Sequence, residues 1–351
     1  MQKGWLILVL LTSGVAYAAS FDCAKAKTPQ EKAICASPEL SAADEHMAAA
    51  YRAVLAAAPF EMKGEVLNDQ RAWLGFIAAR CKASSSVDSS ALASCLLRYY
   101  DKWIKALQHM VYHNGGVTFV QRSITLYPPE EAVPPGPQVR IGMDDSQPGY
   151  LNASWPQANP EAPEWKAWNK AMEAATLALA SANRQPPATA WKALVDADMD
   201  MDVNASLGIV EKDLVTTTVD SQWYGHGAAH ANLNFIQFNW MLREQREMRP
   251  EDVFRAGSGW DAAILGQCER SVSRQLIQEL GADNAKIWLD NLPKELHGLI
   301  LDPRNWLLDG KGLTIPFEPY AVACHACTPP PVTIPWTDLK PYLQPGFVLP
   351  K

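Results

Sequence analysis

The chain has 351 residues, 48% hydrophobic and 20% charged, with 31 Lys/Arg against 38 Asp/Glu and a formal net charge of −7 at pH 7. That length exceeds one typical core and predicts two or more domains. The acidity is uneven: Ser20 to His113 holds 11 Lys/Arg and 10 Asp/Glu, whereas Asn114 to Lys351 holds 19 and 28. A C-terminal region of this sign repels phosphates, which excludes nucleic acid as a partner, and suits a basic protein approached by electrostatic steering.

Met1 to about Ala19 reads as a secretory signal. Lys3 supplies a positive start, Trp5 to Leu11 an apolar core, and Ala16-Tyr17-Ala18 a cleavage site. The apolar run is shorter than the ~20 residues a bilayer requires, and Ser13 and Gly14 interrupt it. Ser20-Phe21-Asp22 before Cys23 is a poor lipidation site, and no later segment is long and apolar enough to span. The expected location is periplasmic or secreted, with no membrane span after signal removal.

Behind the signal, Thr28-Pro29-x-Glu31 is a capping box with Pro at the first helical position. Ser37-Pro38 starts a second helix, whose Leu40, Ala43, Met47, Ala50, Tyr51 and Val54 form one apolar stripe. A third helix after Pro59 is expected to turn Leu67, Leu74, Ile77 and Cys81 to one face. Ser84 to Ser90 reads as a polar loop. A fourth helix places Leu92, Leu96, Tyr100, Trp103, Leu107 and Val111 inward and Arg98, Asp101, Lys102 and Lys105 outward.

The cysteines Cys23, Cys35, Cys81 and Cys95 permit three pairings. Pairing 23–35 with 81–95 pins the first helix and the hairpin of the third and fourth, and the crossed pairings stay open. This segment, Phe21 to about Leu107, resembles the LprI-like lysozyme-inhibitor N-terminal family. The resemblance rests on Cys23, Glu31, Ile34, Cys35, Leu40, Asp44, Tyr51, Gln70, Arg71, Trp73, Leu74 and Cys81. Tyr51 and Trp73 fall at core spacing, and Gln70-Arg71 has the better claim to a polar network or a surface.

Pro128-Pro129, Pro134-Pro135-Gly136-Pro137 and Pro148-Gly149 then break the chain, as a linker or as irregular edges of a sheet beginning at Val117. Thr118 to Leu126 reads as a strand, which puts the boundary near Asn114-Gly115-Gly116. Glu161 to Ala182 reads as a helix with Trp165, Trp168, Met172, Ala175 and Leu179 on one face. From Asp198 the period changes to two: Met199, Met201, Val203, Ala205 and Leu207 alternate with Asp200, Asp202, Asn204 and Ser206. Leu214 to Val219 and Leu233 to Leu242 add strands. Trp260, Ile264, Cys268, Val272, Leu276 and Leu280 form a helical stripe stopped by Gly281, and Asp309-Gly310-Lys311-Gly312 joins a hairpin. The predicted class is α+β: a disulfide-stapled helical bundle over 20–113, then a mixed α/β domain over 114–351 with a substantially antiparallel sheet.

Trp223-Tyr224-Gly225-His226-Gly227-Ala228-Ala229-His230-Ala231-Asn232, Phe238-Asn239-Trp240 through Phe254, Ile315 to Tyr320 and Val332 to Leu339 form an ordered string. Spanning roughly Asp198 to Leu343, it resembles the extracytoplasmic C-terminal domain of RsiV, an anti-sigma factor that senses lysozyme. The type also accompanies some peptidoglycan deacetylases. Ile315 to Tyr320 and Val332 to Leu339 correspond there to closing strands. The anti-sigma role does not carry over, because no sigma-binding part or membrane helix is recognisable.

His226-x-x-x-His230 offers two metal ligands, with Cys324, His325 and Cys327 as further candidates. Yet the histidines lie in a Gly/Ala loop, without the glutamate of a His-Glu-x-x-His protease. A turn or binding loop is the better reading, and no metal or cofactor is expected. Cys324-His325-Ala326-Cys327 precedes prolines that forbid a thioredoxin-like helix start, so a local disulfide with Cys268 left over is expected. Pairing of Cys268 with Cys324 or Cys327 stays open. Asp200-x-Asp202-x-Asn204 lacks the Gly that a calcium loop needs and fits a strand instead.

The two resemblances together imply a non-enzymatic binding protein, inhibitor-like, that occludes a muramidase cleft. Lysozyme, another muramidase or peptidoglycan is the expected partner, and Trp223, Tyr224, His226, His230, Asn232, Gln70 and Arg71 are the candidate contacts. The alternatives are a peptidoglycan-modifying enzyme with a metal on His226 and His230, and an envelope structural or stress protein.

Overall fold

The computed structural model describes residues 19–81, 89–126, 150–159, 163–180, 199–225 and 228–350. The expected signal, most of the Ser84–Ser90 loop, the three proline clusters and His226 lie outside the described residues. The described chain divides into two compact units: that up to Ala57 with Ile77–His109, and Ala58–Phe76 with Met110–Lys351.

In the first unit the capping box forms as the sequence predicts. Thr28 Oγ1 accepts from the Glu31 N–H at 3.1 Å, and Glu31 Oε2 accepts from the Thr28 N–H at 2.8 Å. This starts α1 (Pro29–Ala36), followed by α2 (Pro38–Ala57). The helix α3 (Lys63–Arg80) comes next, its part up to Phe76 belonging to the second unit, and α4 (Ser89–Gln108) packs on α2. The predicted inward residues Leu40, Met47, Val54, Leu92, Leu96, Tyr100, Trp103 and Leu107 are buried. Between the two helices the Tyr100 hydroxyl donates to Asp44 Oδ1 at 3.1 Å, and Asp44 Oδ2 accepts from the Ser20 N–H at 2.7 Å. Burial, with the Asp44 charge beside it, pushes the Tyr100 phenol well above its ordinary value. Cys23 pairs with Cys35 and Cys81 with Cys95, at sequence separations of 12 and 14. Each closure stabilises by about 3 kcal/mol through the unfolded chain.

The second unit is built on a seven-stranded sheet. Its strands are β1 (Val111–Asn114), β2 (Val117–Leu126), β3 (Leu151–Ala158), β4 (Met199–Val210), β5 (Leu214–Gly225), β6 (Asn232–Met241) and β7 (Arg246–Glu247), adjacent in chain order. Every pairing is antiparallel except β3 with β4. Parallel neighbours need a crossover, and α5 (Pro163–Ala180) lies in that connection. It buries Trp168, Met172 and Ala180 in one core with Leu151, Ala153, Met201 and Val203 of the sheet. Asn169 pins it, accepting from the Ala158 N–H and donating to the Ala158 carbonyl, both at 2.8 Å.

A second core holds α6 (Pro250–Val253), α7 (Trp260–Leu280), α8 (Ala282–Leu289) and α9 (Leu292–Leu301). With them pack β8 (Leu307–Leu308), β9 (Gly312–Ile315), β10 (Val332–Pro335) and α10 (Trp336–Leu339), the strands in order β10-β9-β8. The expected α7 stripe is buried at Ile264, Cys268, Val272 and Leu276, and Gly281 ends the helix at φ +79°. Gly312 is required by close approach, since a Cβ there would sit 2.1 Å from the Ile334 carbonyl oxygen.

Several local expectations are corrected. On α3, Leu67 and Leu74 are 36% and 41% exposed, and Val66, Gln70, Trp73 and Phe76 face inward instead. The fourth helix ends at Gln108, and Val111 opens β1. On α5, Trp168 and Met172 are buried as expected, but further along Thr176 and Ala180 are buried while Ala175 and Leu179 are only half-buried. Strand β3, which contains Pro156, and helices α8 and α9 had no sequence counterpart. The closing segment Pro316–Tyr320 is not a strand, because β9 stops at Ile315, and Trp336–Leu339 is a helical turn.

Arg122 of β2 ties the α3 segment to the sheet within this unit. Its Nε donates to Asp69 Oδ2 at 2.8 Å and one Nη to Asp69 Oδ1 at 3.1 Å. Its other Nη meets Gln157 Oε1 and Glu65 Oε2, each at 2.8 Å, and its guanidinium lies 5.8 Å from the Trp155 ring centre. Burial alone would lower the Arg122 pKa, but the hydrogen bond and charge of Asp69 outweigh it, with Glu65 and Glu173 adding. The side chains of Arg122 and Asp69 are 13% and 5% exposed, so either group alone would be a stranded buried charge. Arg122→Ala should therefore cost about 3–5 kcal/mol in denaturant unfolding. The joint change Arg122→Met with Asp69→Leu should cost much less, and equal losses would refute the pairing argument.

Cys268 is free and fully buried, and burial, with Glu269 nearby, pushes its thiol up to about 12. A thiolate reagent at pH 8 should leave it unmodified in the native oxidised protein and should titrate one thiol after denaturation. Rapid native labelling would contradict that burial.

Candidate functional site

The candidate residues from Trp223 to Asn232 lie at the tip of the β5–β6 hairpin. Trp223 is opposite Asn232 in the antiparallel register, and both are half-buried. The Tyr224 hydroxyl donates to the Ala228 carbonyl at 3.1 Å, folding the tip back on its own strand. His230 is exposed, with Nδ1 3.0 Å from the Ala231 carbonyl.

A second loop, between β9 and β10, meets this tip. The His325 ring stacks on His230 with centroids 4.0 Å apart and planes at 27°. The Tyr320 ring lies 5.5 Å from His325, tilted by 55°. Tyr320 is 59% exposed and sits at φ +69°, a left-handed conformation uncommon outside glycine. His325 is carried on a single turn of tight helix closed at its base by the Cys324–Cys327 disulfide. The Thr328 hydroxyl donates to the His325 carbonyl at 2.9 Å. The cysteines that flank His325 were the signal for this loop, whereas nothing local in the sequence announced its stacking on His230.

Glu318 joins the two loops: its Oε1 accepts from the Phe235 N–H of β6 at 2.6 Å. The tip is thus held at three levels, by Glu318, by the imidazole pair and by the disulfide-closed turn. It exposes His230 and Tyr320, and exposed aromatic side chains of this kind suit contact with a protein. Among the described residues no three His, Cys, Asp or Glu side chains gather closely enough to hold a metal ion. Bonded to each other, Cys324 and Cys327 present no thiolate for ligation.

Gln70 and Arg71 do not form one surface. α3 turns Gln70 inward, 6% exposed, beside buried Asp69, and leaves Arg71 outside.

Burial raises the Glu318 pKa above its ordinary value, with the Phe235 hydrogen bond opposing part of the rise. A carboxyl raised on folding contributes stability that is full below its unfolded pKa of about 4.3 and is lost as pH rises through the folded value. Glu318→Gln should therefore flatten the pH dependence of melting above that point and should not lower stability at pH 7. Thermal melts across pH 4–7 check this, and a clear loss at pH 7 would mean that the ionised carboxylate is the stabilising form.

Three comparisons bear on what this arrangement belongs to. Residues 23–107 match the family model described as "Lysozyme inhibitor LprI". Residues 251–337 match that described as "Protein of unknown function (DUF3298)". Among solved structures, a DUF3298 family protein from Pseudomonas aeruginosa aligns at 14% identity and TM-score 0.47, over 67% of this chain and 97% of that one. A member from Bacteroides fragilis aligns at 15% identity and TM-score 0.43, over 66% and 96%. No curated protein matches the chain. The second match includes Glu318, Tyr320 and His325 and begins after the β5–β6 hairpin. The chain thus joins an LprI-type N-terminal region to a DUF3298-type C-terminal region.

Proposed function

We propose that this is an extracytoplasmic binding protein that recognises a lysozyme-like muramidase and inhibits it by covering its cleft. The observation that carries the reading is the LprI match over residues 23–107, on a helical unit with two disulfides. Disulfides persist in oxidising compartments, which supports a periplasmic or secreted location, and no helix among the described residues is long and apolar enough to cross a membrane. The acidic C-terminal region supports a basic partner, since opposite charge speeds encounter. The exposed His230 and Tyr320 form the contact surface proposed for the C-terminal region. Tyrosine is enriched among the side chains that dominate binding energy at interfaces, and the His230 ring is stacked on His325.

Direct binding of the oxidised protein to chicken-type and goose-type lysozymes, with lysis followed in parallel, tests this. Tight binding with loss of lysis is the expected outcome, weakened about tenfold or more when His230 and Tyr320 are both changed to Ala. Binding that leaves lysis intact would replace inhibition by sensing or capture. Failure to bind either lysozyme would overturn the proposal.

A further inference from the structure

Asp44 of α2 is 3% exposed, and its carboxylate has two partners. Oδ1 accepts from the Tyr100 hydroxyl at 3.1 Å, and Oδ2 from the Ser20 N–H at 2.7 Å. Neither partner carries a charge. Burial, with Asp44 itself adding, pushes the Tyr100 phenol well above its ordinary value, so it stays a neutral donor. Among the described residues no Lys, Arg or His pairs with Asp44. Two neutral hydrogen bonds leave lone pairs of the carboxylate unused and its whole charge uncompensated.

The sequence places one further cation close by. Signal removal after Ala16-Tyr17-Ala18 makes Ala19 the first residue and turns its nitrogen into an ammonium. Ala19 is itself 5% exposed and directly precedes the Ser20 N–H that Asp44 holds. One residue spans at most ~3.6 Å, so the new ammonium lies within about 6 Å of Asp44 Oδ2. At that distance opposite charges favour each other's ionised form. The segment is also held from its other end. Cys23 is bonded to Cys35 of α1, and Asp22 Oδ1 accepts from the Ala24 N–H at 3.0 Å. A terminus fixed on both sides loses little conformational entropy when it docks.

Before cleavage the Ala19 nitrogen is a neutral amide, so this charge pair can exist only in the processed chain. We propose that the α-ammonium released at Ala19 is the counter-ion of Asp44, so that removal of the signal locks the N-terminal helical unit. The inference rests on the extracytoplasmic reading above, because export is what frees the terminus.

The test uses the full mature chain. Ligation at Cys23 joins residues 19–22, as a synthetic thioester, to the remainder, and the product is oxidised. A second product carries a propionyl group in place of Ala19, which keeps its methyl and carbonyl and removes only the amine. At pH 7 the propionyl protein should melt about 4 °C or more below the free-amine protein. The Asp44→Asn versions of the two should melt together. Equal melting in the native sequence overturns the proposal, as does an undiminished difference in Asp44→Asn. The native-sequence comparison decides alone if Asp44→Asn does not fold. Export is tested separately, by N-terminal sequencing of the protein recovered outside the cytoplasm, with Ala19 expected first. A retained signal overturns the export reading and the ion pair together, whereas a different first residue overturns the pair. Equal melting with Ala19 first overturns the pair and leaves export standing.

Discussion

A guanidinium with 13% of its surface left in water must satisfy its donors within the protein, and Arg122 does so with Asp69, Gln157 and Glu65. The consequence is architectural. Asp69 and Glu65 belong to α3, whereas Arg122 and Gln157 are on β2 and β3, so the charge can be neutralised only if the Ala58–Phe76 segment lies with the sheet. Bidentate pairing fixes orientation as well as contact, because the planar fork accepts a carboxylate in one plane. The Asp69 carboxylate also accepts from the Ser123 N–H at 3.4 Å, adding backbone of β2 to the node. This one desolvated charge holds the Ala58–Phe76 segment to the sheet, with which it forms one compact unit.

The rest of the second unit depends on coupling between its two cores. Asn239 of β6 donates through Nδ2 to the carbonyls of Pro303 and Trp306, at 2.9 and 2.8 Å. Trp306 is itself fully buried between Phe254 and Trp260, and its indole N–H donates to the Ile300 carbonyl at 2.9 Å. Glu318 makes the same connection from the other side, through Phe235. Sheet and helical layer are therefore bound by buried side-chain hydrogen bonds, which are costly to leave unmade. The β6 side chain of Asn239 has its amide donors satisfied only by carbonyls of the second core.

Legibility followed the length scale of the interactions. The Thr28–Glu31 capping box, the α4 and α7 stripes, the β4 alternation and the Asp309–Gly312 hairpin are local patterns, and each could be read directly. Strand β3 could not, because Pro156 and the neighbouring prolines carry a loop signature that pairing with β2 overrides. Nor could the inward face of α3. Leu67 and Leu74 read as core by hydrophobicity, yet the helix is oriented by Asp69 and its partner 53 residues away. The candidate site divides in the same way: the Gly/Ala hairpin and the Cys324–Cys327 turn are visible in sequence, but His230 and His325 are 95 positions apart in the numbering and meet only through tertiary folding. Polar and aromatic partnerships at that separation leave no periodicity to detect.

Strand β5 carries the candidate tip at the end of a doubly paired strand. It runs from Leu214, packed in the second core, to Gly225, next to the His230 tip. Twelve residues at ~3.3 Å each span roughly 35–40 Å. Along that length the strand pairs with β4 on one side and β6 on the other, and it buries Val215 and Val219 in the first core. The position of the tip is therefore set by two ladders and a core rather than by an independent loop. A contact made at His230 and His325 meets side chains whose backbone is placed by the sheet at one end and by the Cys324–Cys327 turn at the other.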